Sequence, residues 1–479
     1  MRRFAPLLLL AAVLGIPSIP SAKTWIVPSP TAPTIQIGIN QASAGDTVLV
    51  KCGLYAVKHL TLKSGVHLIS EFADPGCVTL DGLGLDVIMD CHYIEPPTTV
   101  QGFTLEDGSP RAAYCSHSSL VFVDCIFDEG RADLADGGAV YSYYSSLTFL
   151  RCDFTNNVAD YNGGALYCFE SDLALERSDF RGNFAGLNGG ALRCVQSDVQ
   201  VSNSSFSLNW TEDGGAIYCL DCTFSMEGCL LHSNSVTGRG GALYFYRTPA
   251  FVTQSTFADN AAQLGGSIYL WSSPGIIVEN SIFAFGPRGS AVSCLDPASE
   301  PTLSCCDVYG NASGDWTGCI EGQLGLDGNI SEDPRFCSPL EHDYELGLDS
   351  PCAPGNSPPG CGLIGARKAS CAPTSTTQEA ASPAETLHLS GNRPNPFNPA
   401  TLIEYRIPAL AALPRVVLAV YDVSGRRVTT LIDRDQRPGA YRVLWDGTDR
   451  SGAPVASGVY FCRLSWNGRS RTHRMVLLR

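Results

Sequence analysis

The chain has 479 residues, with 20 cysteines, 48 glycines and a formal net charge of −15. The charge is uneven: residues 23–384 carry 16 Lys and Arg against 40 Asp and Glu, whereas residues 385–479 carry 14 Arg, no Lys and 7 Asp and Glu. So acidic a body argues against nucleic acid and anionic membranes as partners, and mildly against polyuronides.

Residues 1–22 predict a secretory signal: Arg2 and Arg3, an apolar run from Leu7 to Leu14, then Pro20-Ser21-Ala22, with cleavage after Ala22. No later stretch approaches the roughly 20 apolar residues of a membrane span, so no transmembrane segment is expected. Pro33 to Ala42 predicts a short amphipathic helix over the open end of a core. The run Gly45-Asp46-Thr47-Val48, continuing to Gly53 and Tyr55, resembles the opening of secreted β-helix proteins.

Next comes a Gly-Gly pair at 137–138, 163–164, 189–190, 214–215, 240–241 and 265–266, in steps of 26, 26, 25, 26 and 25. Behind each pair runs a period-two segment, the strand signature. One alternate set is Val140, Leu166, Leu192, Ile217, Leu243 and Ile268, and two residues on stand Cys168, Cys194 and Cys219; this set is expected inside. The other set, Tyr141, Tyr167, Arg193, Tyr218, Tyr244 and Tyr269, is expected outside. A Phe-x-x-Asn motif follows, ending at Asn157, Asn183, Asn209 and Asn260, with Leu231/Asn234 as a variant. In register, these Asn side chains stack one strand spacing apart, roughly 4.8 Å, and bond from coil to coil. A unit of this length cannot bury an apolar face alone, whereas stacked units bury a continuous one. The expected class is all-β: a right-handed parallel β-helix over residues 23–365, with 11 or 12 coils between Thr47 and Leu346.

Gly-Gly-Ala followed by Leu, Ile or Val, alternating with Phe-x-x-Asn, resembles the repeat of the chlamydial polymorphic outer-membrane proteins, within the wider pectin-lyase-like superfamily. The likeness is specific over residues 125–290 and looser from 45 to 365. Those proteins end in a large membrane β-barrel, for which the residues after 390 leave no room.

Twenty cysteines in an exported chain suggest disulfides. Cys168, Cys194 and Cys219 share one inward position, and Cys125 and Cys152 share another, so a coil-to-coil bridge and a ladder of buried thiols are both open readings. Cys219-x-x-Cys222 has no second pair at zinc-binding spacing, so no metal is expected. Seven cysteines between Cys305 and Cys371, with Asp333-Pro334-x-Phe336, Tyr344-x-Leu346 and Ser350-Pro351-Cys352, predict a disulfide-held C-terminal cap.

Residues 366–386, rich in Ala, Ser, Thr and Pro, predict a flexible linker. Residues 387–479 predict an immunoglobulin-like sandwich with strands at 401–407, 415–421, 427–432, 441–445, 458–465 and 471–477 and turns at Ser424-Gly425 and Asn467-Gly468. Asn395-Pro396-Phe397-Asn398-Pro399, Trp445-Asp446-Gly447, Tyr460-Phe461 and the terminal Met475 to Arg479 resemble the type A sorting domain of type IX secretion and the immunoglobulin-like domain of flagellar hook-capping proteins. That resemblance implies delivery across an outer membrane, with the secretion machinery as a partner, and release or attachment at the cell surface.

The motifs Asn-Thr-Asp, Asp-Asp, Gly-His-Gly and Arg-Ile-Lys of β-helix hydrolases do not occur here. Asp136, Asp160 and Asp213 lie near Gly-Gly corners and Arg193 stands in the Tyr column, which places them as catalytic candidates of a calcium-dependent lyase; the competing reading is turn-forming, solvated residues. Calcium is expected only for that lyase, and no other cofactor is expected. Tyr141, Tyr167, Tyr218, Tyr244 and Tyr269 are the binding candidates for a glycan or protein ligand, against a purely mutual stacking role. The expected function is a non-catalytic, exported bacterial surface protein for adhesion, structure or ligand display; the alternative is a pectin-lyase-like carbohydrate-active enzyme.

Overall fold

The computed structural model of the chain describes residues 22–372 and residues 388–478 except 394, 396, 398–400, 408–414, 436–438, 451 and 467–468. Residues 1–21 of the expected signal segment, the linker beyond residue 372 and the Asn467-Gly468 turn lie outside the described residues.

The first unit is a parallel β-solenoid. Its walls are sheets of twelve, eleven and ten strands, with a fourth sheet of five two-residue strands between the last two. One coil shows how the sequence makes it. Leu166–Phe169 enters the ten-stranded sheet, Asp172–Glu176 the twelve-stranded sheet, Asp179–Arg181 the eleven-stranded sheet and Phe184–Ala185 the short one. Each of the first three strands ends at a residue in the left-handed region, Glu170, Arg177 and Gly182, with φ of 46°, 50° and 67°. Such angles are costly for residues with a Cβ. Here the next residue, Ser171, Ser178 or Asn183, turns inward and ties the corner to its neighbours.

Three ladders result. Ser171 Oγ accepts the N–H of Ser145 from the preceding coil at 3.1 Å, and Ser178 Oγ that of Cys152 at 3.1 Å. Asn183 Oδ1 accepts both the N–H and the side-chain amide of Asn157 at 3.0 Å, while its Nδ2 donates to Phe154 O. The expected Asn ladder runs through Asn209, Asn234 and Asn260 in the same way. The two hydroxyl ladders were not anticipated, although Ser145, Ser171 and Ser197 repeat at 26 residues. The Gly-Gly pair makes the fourth corner: Gly189 has φ +68°, and a Cβ on Gly190 would lie 2.2 Å from Gly215 O of the next coil.

The core is a set of stacked columns. Phe127, Phe154, Phe180 and Phe206 stack at 4.7, 4.5 and 4.7 Å, nearly coplanar. Cys91, Cys115, Cys168, Cys194 and Cys219 share one buried column, with Ser142 in the remaining place. All five are free thiols, as are Cys125 and Cys152, so of the two open readings the structure has the thiol ladder. Burial pushes Cys194 and Cys219 well above the ordinary thiol range. The disulfides sit instead toward the ends: Cys52–Cys77, Cys294–Cys319, Cys305–Cys361 and Cys337–Cys371.

The N-terminal end is closed by the helix Ile35–Gln41, capped by Thr34 and burying Ile35, Gly38 and Ile39. The C-terminal closure divides in two. A 3-10 helix, Gly318–Gln323, inserts Ile320 into the end of the core and is pinned by Cys294–Cys319. The Cys-rich segment instead folds back along the eleven-stranded sheet, covering Leu230, Ala258, Ile282 and Ala284 with Phe336, Tyr344 and Leu346. The expected linker is corrected here: Ala369–Cys371 is a strand of this segment, and Cys371 is bonded to Cys337.

The second unit is an antiparallel sandwich. Strands His388–Arg393, Thr401–Ile407 and Gly439–Trp445 form one sheet; Arg415–Asp422, Arg427–Asp435, Gly458–Trp466 and Arg469–Leu477 form the other. Trp445 is its central buried ring, against Phe397 and Tyr460. The Trp-Asp-Gly motif makes a local turn in which Trp445 Nε1 donates to Thr448 O and Asp446 Oδ1 accepts Thr448 N. Among the described residues no helix is long and apolar enough to cross a membrane.

Candidate binding face

The outer face of the ten-stranded sheet carries two columns of side chains, because alternate residues of each strand point away from the core. The first runs Asp90, Tyr114, Tyr141, Tyr167, Arg193, Tyr218, Tyr244 and Tyr269. The second runs His92, Ser116, Tyr143, Phe169, Val195, Leu220, Tyr246 and Trp271. Beyond them, at the left-handed corner, stand Tyr93, His117, Tyr144, Glu170, Gln196, Asp221 and Arg247.

The first column lies on the outside, as its alternation requires, but it is not an open wall. Tyr218, Tyr244 and Tyr269 are 7%, 1% and 2% exposed, and Tyr141 and Tyr167 are half-buried. The rings cover one another: Tyr141 stacks on Tyr167 at 5.2 Å, Tyr218 on Tyr244 at 4.3 Å, and Tyr244 meets Tyr269 at 5.0 Å. Guanidinium groups close the rest, with Arg193 4.3 Å over Tyr218 and Arg111 5.0 Å over Tyr141. Burial pushes the Tyr167 hydroxyl up to about 12. Of the two readings of Tyr141, Tyr167, Tyr218, Tyr244 and Tyr269, the packing is that of mutual stacking, and the column is a packed outer layer.

Open aromatic surface lies one and two columns over. Tyr93 is 72% exposed and Tyr144 42%, and both stack against His117, at 5.0 and 5.3 Å. Tyr143, Phe169, Tyr246 and Trp271 are half-exposed beside them. Alternation along the strand does not extend to a left-handed corner residue, so this column was invisible to the period-two reading. Toward the C-terminal side the corner column becomes a shallow polar groove of about 810 Å³, lined by Tyr144, Glu170, Gln196, Asp198, Asp221 and Arg247. In it, Arg247 Nε donates to Asp221 Oδ1 at 2.6 Å and holds that carboxyl below its ordinary value. The Tyr144 hydroxyl, bonded to the Glu170 carboxylate, is pushed up to about 12.

The catalytic candidates fall as follows. Asp136 and Asp213 stand in one column before the Gly-Gly corners, with Asn162 and Asn188 between them. They are three strand spacings apart, roughly 14 Å. Asp136 Oδ1 accepts Asn162 N at 3.1 Å and Asn162 Nδ2 at 2.8 Å, and Asp213 Oδ1 accepts Arg239 N at 2.6 Å. Asp160 is three residues before its Gly-Gly pair and accepts Leu134 N at 2.8 Å. Burial raises the Asp213 carboxyl above its ordinary value. Arg193 packs on Tyr218, and its buried Nη1 makes no hydrogen bond.

One cluster was missed altogether. The eight histidines are scattered in sequence, yet the coil path brings His59 and His92 to the same carboxylate. His59 Nε2 lies 2.8 Å from Asp90 Oδ2 and His92 Nε2 2.9 Å from Asp90 Oδ1, with Asp86 beside His59 at 3.9 Å. Among the described residues no group of three or more His, Cys, Asp or Glu is arranged to hold a metal ion.

Residues 400–468 match the FlgD Ig-like domain family, and residues 151–168 match the Chlamydia polymorphic membrane protein repeat. No curated protein matches the chain. Among solved structures, polygalacturonase from Erwinia carotovora ssp. carotovora is similar at 12% identity and a TM-score of 0.32, over 62% of this chain and 94% of that one. At that score the likeness carries no property of the enzyme over to this chain.

Proposed function

We propose that this is an exported cell-surface protein whose solenoid is a non-catalytic binding body and whose C-terminal sandwich serves delivery and attachment. The observation that carries this reading is the aromatic outer face of the ten-stranded sheet, interrupted at the coil of Arg193 and Val195, open at Tyr93 and Tyr144 and half-open at Trp271. Large amphipathic rings on a rigid surface suit a ligand that is apolar on one face and hydrogen-bonding at its edges. The carboxylates Asp136, Asp160 and Asp213 each accept a main-chain N–H of a neighbouring coil, which supports a structural role for them. The match to the Chlamydia polymorphic membrane protein repeat supports surface display. The sorting role of residues 387–479 rests on the motifs around Asn395, Trp445 and Tyr460.

The test uses the full chain without residues 1–22, presented to a polysaccharide panel with and without calcium. Retention in affinity gels is expected, with no rise in unsaturated uronate absorbance or reducing ends. Turnover abolished by Asp160→Asn or Arg193→Ala would overturn the reading in favour of a polysaccharide lyase or hydrolase. For delivery, removal of residues 387–479 in a host with type IX secretion is expected to leave the solenoid inside the outer membrane. Normal surface delivery of that truncation would overturn the sorting role.

A further inference from the structure

The N-terminal part of the aromatic face differs from the rest in chemistry. Tyr93, His117 and Tyr144 follow one another at 5.0 and 5.3 Å, a staircase of rings at the pitch of the coils, and Tyr93 is the most exposed aromatic of the face. Beside it stands the carboxylate of Asp90 between two imidazoles, at 2.8 and 2.9 Å, with His92 leaning on the Tyr114 ring at 5.2 Å. Asp90 Oδ1 is buried against His92 Nε2 at 2.9 Å, so a ligand meets this cluster at its rim. His59, His92 and Asp86 are half-exposed or more at its rim, so a hydroxyl-bearing ligand reaches this edge from solvent.

Resting on the reading of this face as a binding surface, we infer that Tyr93, His117 and Tyr144, with Asp90, His59 and His92, form a subsite for a neutral polysaccharide. Pyranose rings lie with their C–H faces on the staircase. Their hydroxyls donate to Asp86 and bond to the two imidazoles, which Asp90 holds in place. The charge pattern selects against an acidic chain: Asp86, Asp90 and Glu170 stand along this part of the face, on a body with 40 Asp and Glu against 16 Lys and Arg. Like charges on ligand and face oppose one another, whereas hydroxyls of a neutral sugar are donors to carboxylates.

The experiment is calorimetric titration of the full chain, without residues 1–22, with cellohexaose, xylohexaose and mannohexaose, and with hexagalacturonate as the charged comparator. Binding of at least one neutral hexasaccharide is expected, tighter than hexagalacturonate. It should weaken about tenfold in Tyr93→Ala, by loss of one stacking ring, and comparably in Asp90→Asn, while Phe251→Ala, exposed on the twelve-stranded sheet and outside this face, leaves it unchanged. Tyr93 is exposed, so Tyr93→Ala tests the site without disturbing the fold, and equal thermal midpoints confirm this for each variant. Neutral binding lost in Trp271→Ala but kept in Tyr93→Ala would overturn this subsite while leaving the face as a binding surface. Preference for hexagalacturonate would overturn the neutral selection. No binding of any probe would overturn both the subsite and the glycan chemistry assigned to it, while retention of a polymer in affinity gels would still uphold the binding face.

Discussion

Replacing Asn183 by Ala tests the energetic argument for the Asn ladder. Asn183 is fully buried, and its side chain makes four hydrogen bonds: two accepted from Asn157, one donated to Phe154 O and one donated to Asn209 Oδ1. The truncation leaves the Asn157 N–H without its acceptor, removes a donor from Phe154 O, and breaks the ladder between two coils. Each buried group left unsatisfied costs about 1–3 kcal/mol, so a loss of about 4 kcal/mol is expected. In a solenoid each coil leans only on its neighbours, so the damage is local and divides the stack at this point. Urea unfolding with hydrogen exchange at single-residue resolution measures both effects. Exchange at the Asn157 amide should rise sharply while the amides near Asn260 keep their protection. A loss below about 1 kcal/mol, with the Asn157 amide still protected, would refute the ladder as a source of stability and leave sheet packing as its sole support.

Asp307 gives a pH dependence. Its carboxyl is buried, accepting Glu332 N at 3.0 Å and the Cys352 thiol at 3.2 Å, and burial pushes it up to about 7. A carboxyl raised in the folded state contributes stability that is full below the ordinary value near 4 and is lost as pH rises toward 7. The thermal midpoint should therefore fall between pH 4 and pH 8 by more in the native chain than in Asp307→Asn; an equal fall in both would refute the assignment. The thiol ladder predicts an alkylation pattern. Native, non-reduced protein should take up iodoacetamide at none of its twelve free cysteines, and denatured, non-reduced protein at all twelve; intact mass reads both. Gly190→Ala should abolish folding of the coils around it, because its Cβ would meet Gly215 O at 2.2 Å, whereas Gly322→Ala, with nothing within 4 Å, should leave the thermal midpoint within about a degree.

The sequence by itself determined the solenoid. A period of 25 or 26 residues fixes which residues stack, so the Phe column, the Cys column and the Asn ladder follow from spacing alone, as does the inward or outward sense of each strand residue. The antiparallel strands after residue 400 were legible for the same reason: alternation and turn residues are local. What the spacing did not contain is what covers an outward residue. Tyr244 stands at an outward strand position and is closed over by rings from adjacent coils, whereas Tyr93, at a left-handed corner outside the alternation, is exposed against His117. The partition of the cysteines followed the same rule. Neighbouring coils bring Cys168 and Cys194 into register, yet it is the irregular ends, where the segment 333–371 folds back on the sheet, that carry most of the disulfides. His59, Asp90 and His92 meet only because two successive coils pass the same point. Periodicity is a one-dimensional signal and determines register; exposure, closure of the ends and clusters between unlike residues depend on contacts across coils, and those only the tertiary structure decided.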